Sequence, residues 1–143
     1  MKIITTLSEL EELKGNRIEY TQTSIGWVQV LLYGILTGDF NTHNYRPTRY
    51  FRKPVVQGEL ISGLFGKFHK KICKLEHRDP ILCKVTKTKV SHGIEIHQVF
   101  TPSLTVQSVK LFKDIVYVEW LYEISCDDKC HFRKTILYCY RPL

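Results

Sequence analysis

Apolar residues recur at helical spacing near the start of the chain and again in its middle. At the start, Thr6 and Glu9 form the Thr-x-x-Glu pattern of a capping box, and a glycine follows soon after. The leucines at helical spacing are Leu7, Leu10 and Leu13. This pattern predicts a short helix at about residues 7–14.

The second helical pattern begins after Gly58 and is basic on its outer face. Its apolar positions, three or four residues apart, are Leu60, Ile61, Leu64, Phe65, Phe68, Ile72 and Leu75. An adjoining face carries Lys67, Lys70, Lys71 and Lys74, which we call the lysine stripe. Asp79 and Pro80 are expected to end this amphipathic helix, because proline disfavours helical backbone in the preceding residue.

Elsewhere the pattern of apolar residues and turns predicts β-strands. Residues 17–37 are expected to form a hairpin, with one strand at residues 18–20 and a second at residues 27–33. Beyond residue 80, turn residues separate the strand candidates 81–90, 94–100, 104–112, 115–124 and 130–140. Consecutive antiparallel strands of this kind form a meander.

The clearest alternation lies in residues 115–124 and fixes the two faces of the predicted sheet. One face carries Val116, Val118, Trp120, Tyr122 and Ile124, and the other carries Glu119 and Glu123. We therefore predict an α+β fold: a mainly antiparallel sheet or partly open barrel with a short N-terminal helix and one basic amphipathic helix. At 143 residues the chain is expected to form a single domain, 1–143.

Positive charge is concentrated in the middle of the chain. Twelve of the 21 Lys and Arg residues lie in residues 40–90, against only Glu59, Glu76 and Asp79, whereas the flanks are close to neutral. A field concentrated in this way attracts anions. The charge therefore predicts the kind of partner, although it does not define a reaction.

The candidate binding residues follow from this charge. Residues 45–53, which we call the basic arm, interleave cations with aromatic rings: Tyr45, Arg46, Arg49, Tyr50, Arg52 and Lys53. The lysine stripe and the strand residues Lys87 and Lys89 add further cations. Nucleic acid binding needs cations for phosphates and aromatic faces for bases. The sequence therefore favours a non-enzymatic protein that binds a polyanion through residues 45–90, with nucleic acid as the first interpretation.

Other binding partners stay open at this level. The same cations suit another phosphate-rich ligand, an acidic host protein or a small phosphorylated nucleotide signal. The small size and the Lys-, Ile- and Tyr-rich composition resemble accessory proteins that bacterial viruses direct against their hosts. That resemblance favours a host-directed viral inhibitor as the second interpretation, and self-association of the chain also stays open.

Enzyme chemistry is less well supported by the sequence. A zinc site could be assembled from Cys73, His77, Cys83, Cys126, Cys130 and His131, but their spacings are not those of common zinc motifs. A metal-independent nuclease could use His92 and His97 with Lys89. Glycine-rich phosphate loops and the familiar hydrolase motifs are absent. We therefore expect no enzyme activity, no metal and no cofactor.

The remaining sequence features indicate an unanchored cytoplasmic protein. The first residues lack the apolar segment of a signal peptide, and no apolar run approaches the roughly 18 residues needed to span a bilayer. The five cysteines are scattered and odd in number, which favours free thiols in a reducing compartment.

Overall fold

The computed structural model describes residues 3–143 and contains one antiparallel sheet with three α-helices. The helices are α1 (Leu7–Glu12), α2 (Trp27–Thr37) and α3 (Gly58–Ile72), and a 3-10 turn covers Thr42–Asn44. The strands are β1 (Arg17–Glu19), β2 (Arg78–Val90), β3 (Thr101–Phe112), β4 (Ile115–Cys126) and β5 (Lys129–Pro142). They pair in the order β1-β3-β4-β5-β2. The predicted α+β class with a mainly antiparallel sheet is confirmed.

The core lies between α3 and one face of the sheet. The five alternating residues predicted for the packed face of β4, from Val116 to Ile124, are all fully buried. From α3, Ile61, Phe65, Phe68 and Ile72 are buried against them. The Tyr122 hydroxyl donates to the carbonyl of Ile61 at 2.9 Å, which ties the strand to the helix. The predicted apolar face of the helix therefore packs against the predicted apolar face of the sheet.

The predicted hairpin over residues 17–37 is wrong in its second half. Residues 17–19 form β1 and pair with β3, but residues 27–37 form helix α2. A short continuous apolar run does not distinguish a buried strand from a helix. The helical start is set by Gln29, whose side chain accepts from the Gly26 N–H at 2.9 Å, and Gly38 ends the helix with φ 76°.

Two further expectations about the chain path are corrected. Residues 94–100 do not form a strand but a loop with isolated bridges from Glu95 to Val55 and from Phe100 to Thr23. Helix α3 ends at Ile72, short of the predicted stop at residues 79–80, and Cys73 instead bridges to Ile4. After α3, β2 pairs with β5 at the sheet edge, whereas β3, β4 and β5 form the predicted meander.

The prediction of five free thiols is wrong for two of them. Cys83 and Cys139 form a disulfide between neighbouring strands β2 and β5, with 6.3 Å between their Cα atoms. Cys83 occupies the register shift in β2 that lies between Leu82 and Lys84. Sequence spacing could not show this pairing, because the two residues lie 56 positions apart.

Thiol counting tests the disulfide directly. In denaturant without reductant, Ellman's reagent should detect three thiols, those of Cys73, Cys126 and Cys130. The Cys83→Ser variant should give four, because it frees Cys139 while removing one sulfur. A count of five in the unmodified protein would show that the bond does not form in solution.

The three helices are all short relative to a bilayer. None of the helices within residues 3–143 has the length and apolar character needed to cross a membrane.

Candidate functional site

The C-terminal end of α2 holds an acidic residue in a tight turn. After Gly38, the side chain of Asp39 accepts from the Asn41 amide at 2.5 Å. The Tyr45 hydroxyl donates to the main-chain carbonyl of Asp39 at 3.5 Å, and its ring stacks on Phe40 with 5.8 Å between centroids. The carboxylate of Asp39 is therefore oriented by local contacts while it stays partly exposed.

Gly34 lets this turn pack against α2. A Cβ atom added at Gly34 would overlap the Tyr45 hydroxyl and would lie 3.1 Å from both the Asp39 carbonyl oxygen and the Phe40 ring. The position of Asp39 thus depends on the absence of a side chain at Gly34, five residues before it.

Gly34→Ala is expected to destabilise the protein by about 1 kcal/mol, because overpacking outweighs the helix propensity gained by alanine. Gly63→Ala is the matched control, because nothing lies within 4 Å of a Cβ atom built there. It should stabilise the protein by up to about 1 kcal/mol. Urea unfolding of both variants measures the difference, and equal free energies of unfolding would contradict the close packing at Gly34.

The N-terminus of α3 presents main-chain donors to open space. Gln57 is the N-cap, makes no side-chain capping hydrogen bond, and accepts through its carbonyl from Leu60 and Ile61. Within residues 3–143, no group accepts from the N–H of Gly58 or Glu59. Nothing lies within 4 Å of a Cβ atom built at Gly58. Free N–H groups at a helix start favour a negatively charged oxygen.

Asp39 and the start of α3 lie in the same neighbourhood. Burial, followed by the negative charges of Glu59 and Asp39, raises the pKa of the Tyr33 hydroxyl. Tyr33 lies on α2, Glu59 is the second residue of α3, and Asp39 follows α2. The charges of both Asp39 and Glu59 therefore reach the Tyr33 hydroxyl on α2.

Two buried amides anchor this region and leave acceptors unused. The Asn44 amide donates to the carbonyl of Val55 at 2.8 Å, and the Gln57 amide donates to the carbonyl of Val30 at 3.1 Å. The amide oxygens of Asn44 and Gln57 have no donor among the described residues although both side chains are buried. Such oxygens are suited to a donor from water or a ligand.

A cleft of about 530 Å³ lies next to this region, between residues 50–55 and residues 90–98, with His131 at its side. We call it the arm cleft. Its wall includes Val55, which lies three residues before Gly58, so chain length limits the distance between their Cα atoms to about 11 Å.

The structure does not bring the predicted binding residues into one site. The exposed ones are Arg46, Arg49, Tyr50, Arg52, Lys53, Lys67, Lys70, Lys71, Lys74, Lys87 and Lys89, whereas Tyr45 is half-buried. Only Tyr50, Arg52 and Lys53 line the arm cleft. Lys70 and Lys74 border a separate cavity of about 410 Å³ near the C-terminus of α3. Lys87 and Lys89 lie on the edge strand β2.

The sets of residues considered for metal or nuclease chemistry are also separated. No three His, Cys, Asp or Glu side chains within residues 3–143 are grouped closely enough to hold a metal ion. The disulfide removes Cys83 from any zinc site. His92 packs beside His131, with ring centroids 5.0 Å apart, whereas His97 lies against Gly26.

Sequence reasoning did not select Tyr33, Asp39 or Glu59 as candidate site residues, and it treated Gly58 only as the point after which the amphipathic helix begins. The available signal was an acidic residue directly after a helix-ending glycine, but it is recognisable only when residues 27–37 are known to be helical.

Comparison with known proteins identifies the fold. No family model matches the chain, and no curated protein matches it in sequence. Among solved structures, it is similar to a monoamine oxidase regulatory protein from Archaeoglobus, with a TM-score of 0.79, 16% identity, and 100% of this chain and 97% of that one covered. It is also similar to the R-hydratase PhaJ1 from Pseudomonas aeruginosa, with a TM-score of 0.70, 19% identity, and 94% and 86% covered.

A third similar structure is a mutant of the fluoroacetyl-CoA-specific thioesterase FlK, in complex with fluoroacetate and CoA. Its TM-score is 0.62, the identity is 10%, and 91% of this chain and 95% of that one are covered. The fold shared with the hydratase and the thioesterase is the hot-dog fold, in which an antiparallel sheet wraps a long central helix, here α3.

These similarities correct the functional interpretation of the sequence. The predicted non-enzymatic, nucleic-acid-binding protein is wrong, because the neighbours over nearly the whole chain include hydratase and thioesterase enzymes. The alternatives of a viral accessory inhibitor and a metal-independent nuclease fail for the same reason. The predicted cations are exposed on the surface, but their charge alone did not indicate the fold to which they belong.

Proposed function

We propose that the protein is an enzyme that adds water to, or removes it from, the acyl chain of a thioester. The observation that carries the proposal is the pairing of Asp39, held in its turn after α2, with the free N–H groups at the start of α3, which the Gln57–Val30 hydrogen bond ties to α2. The similarity in fold to an R-hydratase supports it. Neither feature alone would suffice, since one fold supports many reactions.

The chemistry of hydration needs two things that this site offers. A carboxylate must take a proton from water as the water oxygen attacks the β-carbon of an α,β-unsaturated thioester. Asp39, held by Asn41 and partly exposed, is suited to that role. The proton then returns from the Asp39 carboxyl group to the α-carbon, so that H and OH are both added and the carboxylate is restored.

The second requirement is stabilisation of the negative charge that develops on the thioester oxygen. The free N–H groups of Gly58 and Glu59, together with the positive end of α3, are suited to hold that oxygen. Such main-chain donors need no reorganisation during the reaction. The phenol of Tyr33, whose pKa is raised further above neutral pH, is protonated and can donate a hydrogen bond to the attacking water or to a carboxylate.

Hydrolysis of the thioester is the second candidate, because the same donors would stabilise the intermediate formed by attack on the carbonyl carbon. The thioesterase among the similar structures favours it specifically. The two reactions differ in product: hydration keeps the thioester and removes the conjugated double bond, whereas hydrolysis releases a thiol.

One assay separates the two candidates. Short- and medium-chain trans-2-enoyl-CoA and saturated acyl-CoA substrates are incubated with the protein, and enone absorbance and free thiol are followed in parallel. Hydration predicts loss of enone absorbance without thiol release, with the saturated substrate untouched. Thiol release from both substrates would select the thioesterase, and no turnover of either would contradict the proposal.

A further inference from the structure

We propose that the arm cleft binds the phosphorylated nucleotide end of CoA, so that the substrate is a CoA thioester rather than a thioester on a carrier protein. The inference rests on the proposed function, since it names the carrier of the acyl group. It also assigns a role to the cations of the basic arm, which the catalytic region does not use.

The cleft has the size and the surfaces that a nucleotide needs. Its volume of about 530 Å³ lies within the range of about 300–1,000 Å³ common for small-molecule sites. Tyr50 and Phe51 line it, and the side chain of Tyr50 is 82% exposed. An exposed aromatic face next to a cleft offers stacking for a purine base.

Donors for phosphate lie on both sides of the cleft. Arg52 comes from the basic arm, and no described residue forms an ion pair with it. From the opposite wall come His92 and His131, whose ring centroids are 5.0 Å apart. The Nδ1 atom of His131 is buried and has no partner among the described residues. Guanidinium and imidazole N–H groups both bind phosphate oxygens well.

One carboxylate also lines the cleft, and it is already neutralised. Glu95 pairs with Lys53 at 3.7 Å. Lys53 therefore cancels the charge of Glu95 rather than serving a ligand, which leaves Arg52 as the uncompensated permanent charge on this wall. The inference consequently assigns the main phosphate contact to Arg52.

The cleft walls are held together by main-chain hydrogen bonds. Val56 donates to Ile94 at 2.8 Å and Ile96 donates to Pro54 at 3.1 Å, so that residues 54–56 and 94–96 form one paired unit. The same segment leads directly into Gly58 at the start of α3. A ligand with its nucleotide in the cleft and a long pantetheine arm along this segment would therefore place its thioester near the free N–H groups.

Binding measurements test the inference without relying on turnover. Titration calorimetry compares CoA, dephospho-CoA and pantetheine with the unmodified protein and with Arg52→Ala. We expect CoA to bind at least tenfold more tightly than pantetheine. Arg52→Ala should weaken CoA binding by about 10- to 100-fold, because a charge-assisted hydrogen bond is lost, and leave pantetheine binding unchanged. Dephospho-CoA indicates whether the 3′-phosphate is the group held.

Arg46→Ala is the matched control, since it removes the same charge from the same arm at an exposed residue that does not line the cleft. Equal weakening by Arg46→Ala and Arg52→Ala would show a general field effect and overturn the inference. Equal affinity for CoA and pantetheine would do the same. Arg52→Lys, expected to bind CoA with intermediate affinity, guards against a folding defect in Arg52→Ala.

The outcomes distinguish this inference from the proposed function. If pantetheine and CoA thioesters are turned over with equal efficiency, the function stands and the nucleotide site does not. If CoA binds through Arg52 but neither hydration nor hydrolysis occurs, the nucleotide site stands and the function does not. Turnover only of thioesters on an acyl carrier protein would overturn the inference and select a protein partner.

Discussion

Asp39→Asn is expected to lower kcat/KM for the thioester substrate by about 10²- to 10⁴-fold, the range for loss of a general base. An amide cannot accept the proton of the attacking water at neutral pH, yet it has the same shape as the carboxylate. It can still accept the hydrogen bond that Asn41 donates at 2.5 Å, so the turn should be preserved. Most of the loss should appear in kcat, because the ground-state contacts of the substrate are unchanged.

Asp128→Asn is the matched control for this prediction. It makes the same chemical change in the exposed turn between β4 and β5, where φ is 61° and asparagine is well tolerated. Its activity should equal that of the unmodified protein. If Asp39→Asn retained full activity with normal circular dichroism, Asp39 would not be the base, and Glu59→Gln would become the decisive variant.

The parts of the fold that sequence predicted are those in which one pattern decides the structure. In β4, Val116 and Trp120 lie on the buried face because side chains alternate in any strand. In α3, Phe65 and Phe68 are buried because their spacing places them on one helical face. The pattern of α3 persists for more than three helical turns, and that of β4 persists for the full strand. Each is therefore long enough to distinguish the helical period from the strand period.

Helix α2 could not be predicted in this way because its pattern is ambiguous. Residues 27–36 contain mostly apolar side chains, and several of them stay exposed in the structure, including Val28, Ile35 and Leu36. The apolar residues of α2 therefore do not recur with the helical spacing that would indicate one buried face. The decisive interactions are local, at Gly26 and Gly38, and each is also typical of a β-turn.

The candidate site escaped prediction for a related reason. Its proposed oxyanion donors are main-chain N–H groups of Gly58 and Glu59, which leave no side-chain signature. Asp39 and Glu59 lie 20 positions apart, and both act on Tyr33 of α2, an element that the sequence pattern did not identify as a helix. The basic arm was visible in the sequence, but which of its cations line a cleft depends on the loop at residues 90–98.

A buried histidine should make the stability of the protein depend on pH. His69 is 1% exposed on α3, and its Nε2 forms a hydrogen bond with the Tyr140 hydroxyl. The indole of Trp120, which is only a donor, donates to the Tyr140 oxygen at 3.2 Å and completes this buried group. Burial, and then the positive charge of Lys70, lowers the pKa of His69 from 6.5 to about 4.

Between pH 6.5 and about 4, the unfolded chain therefore binds a proton at residue 69 that the folded protein does not. The free energy of unfolding should consequently fall as the pH falls through this window, by about 3 kcal/mol in total from this group. Above pH 6.5 the group contributes no slope, because it is neutral in both states. Urea unfolding at a series of pH values measures the effect.

His69→Gln tests the assignment, because the Gln side-chain amide can still form a hydrogen bond with Tyr140 but does not titrate. Between pH 7 and pH 4, the free energy of unfolding should decrease in both proteins, but the decrease should be about 3 kcal/mol smaller in His69→Gln. His92→Gln removes an exposed imidazole and should retain the steep acid branch. If His69→Gln kept the same slope as the unmodified protein, the acid sensitivity would have to come from other groups, and His69 would have to be protonated in the folded state or reached by water.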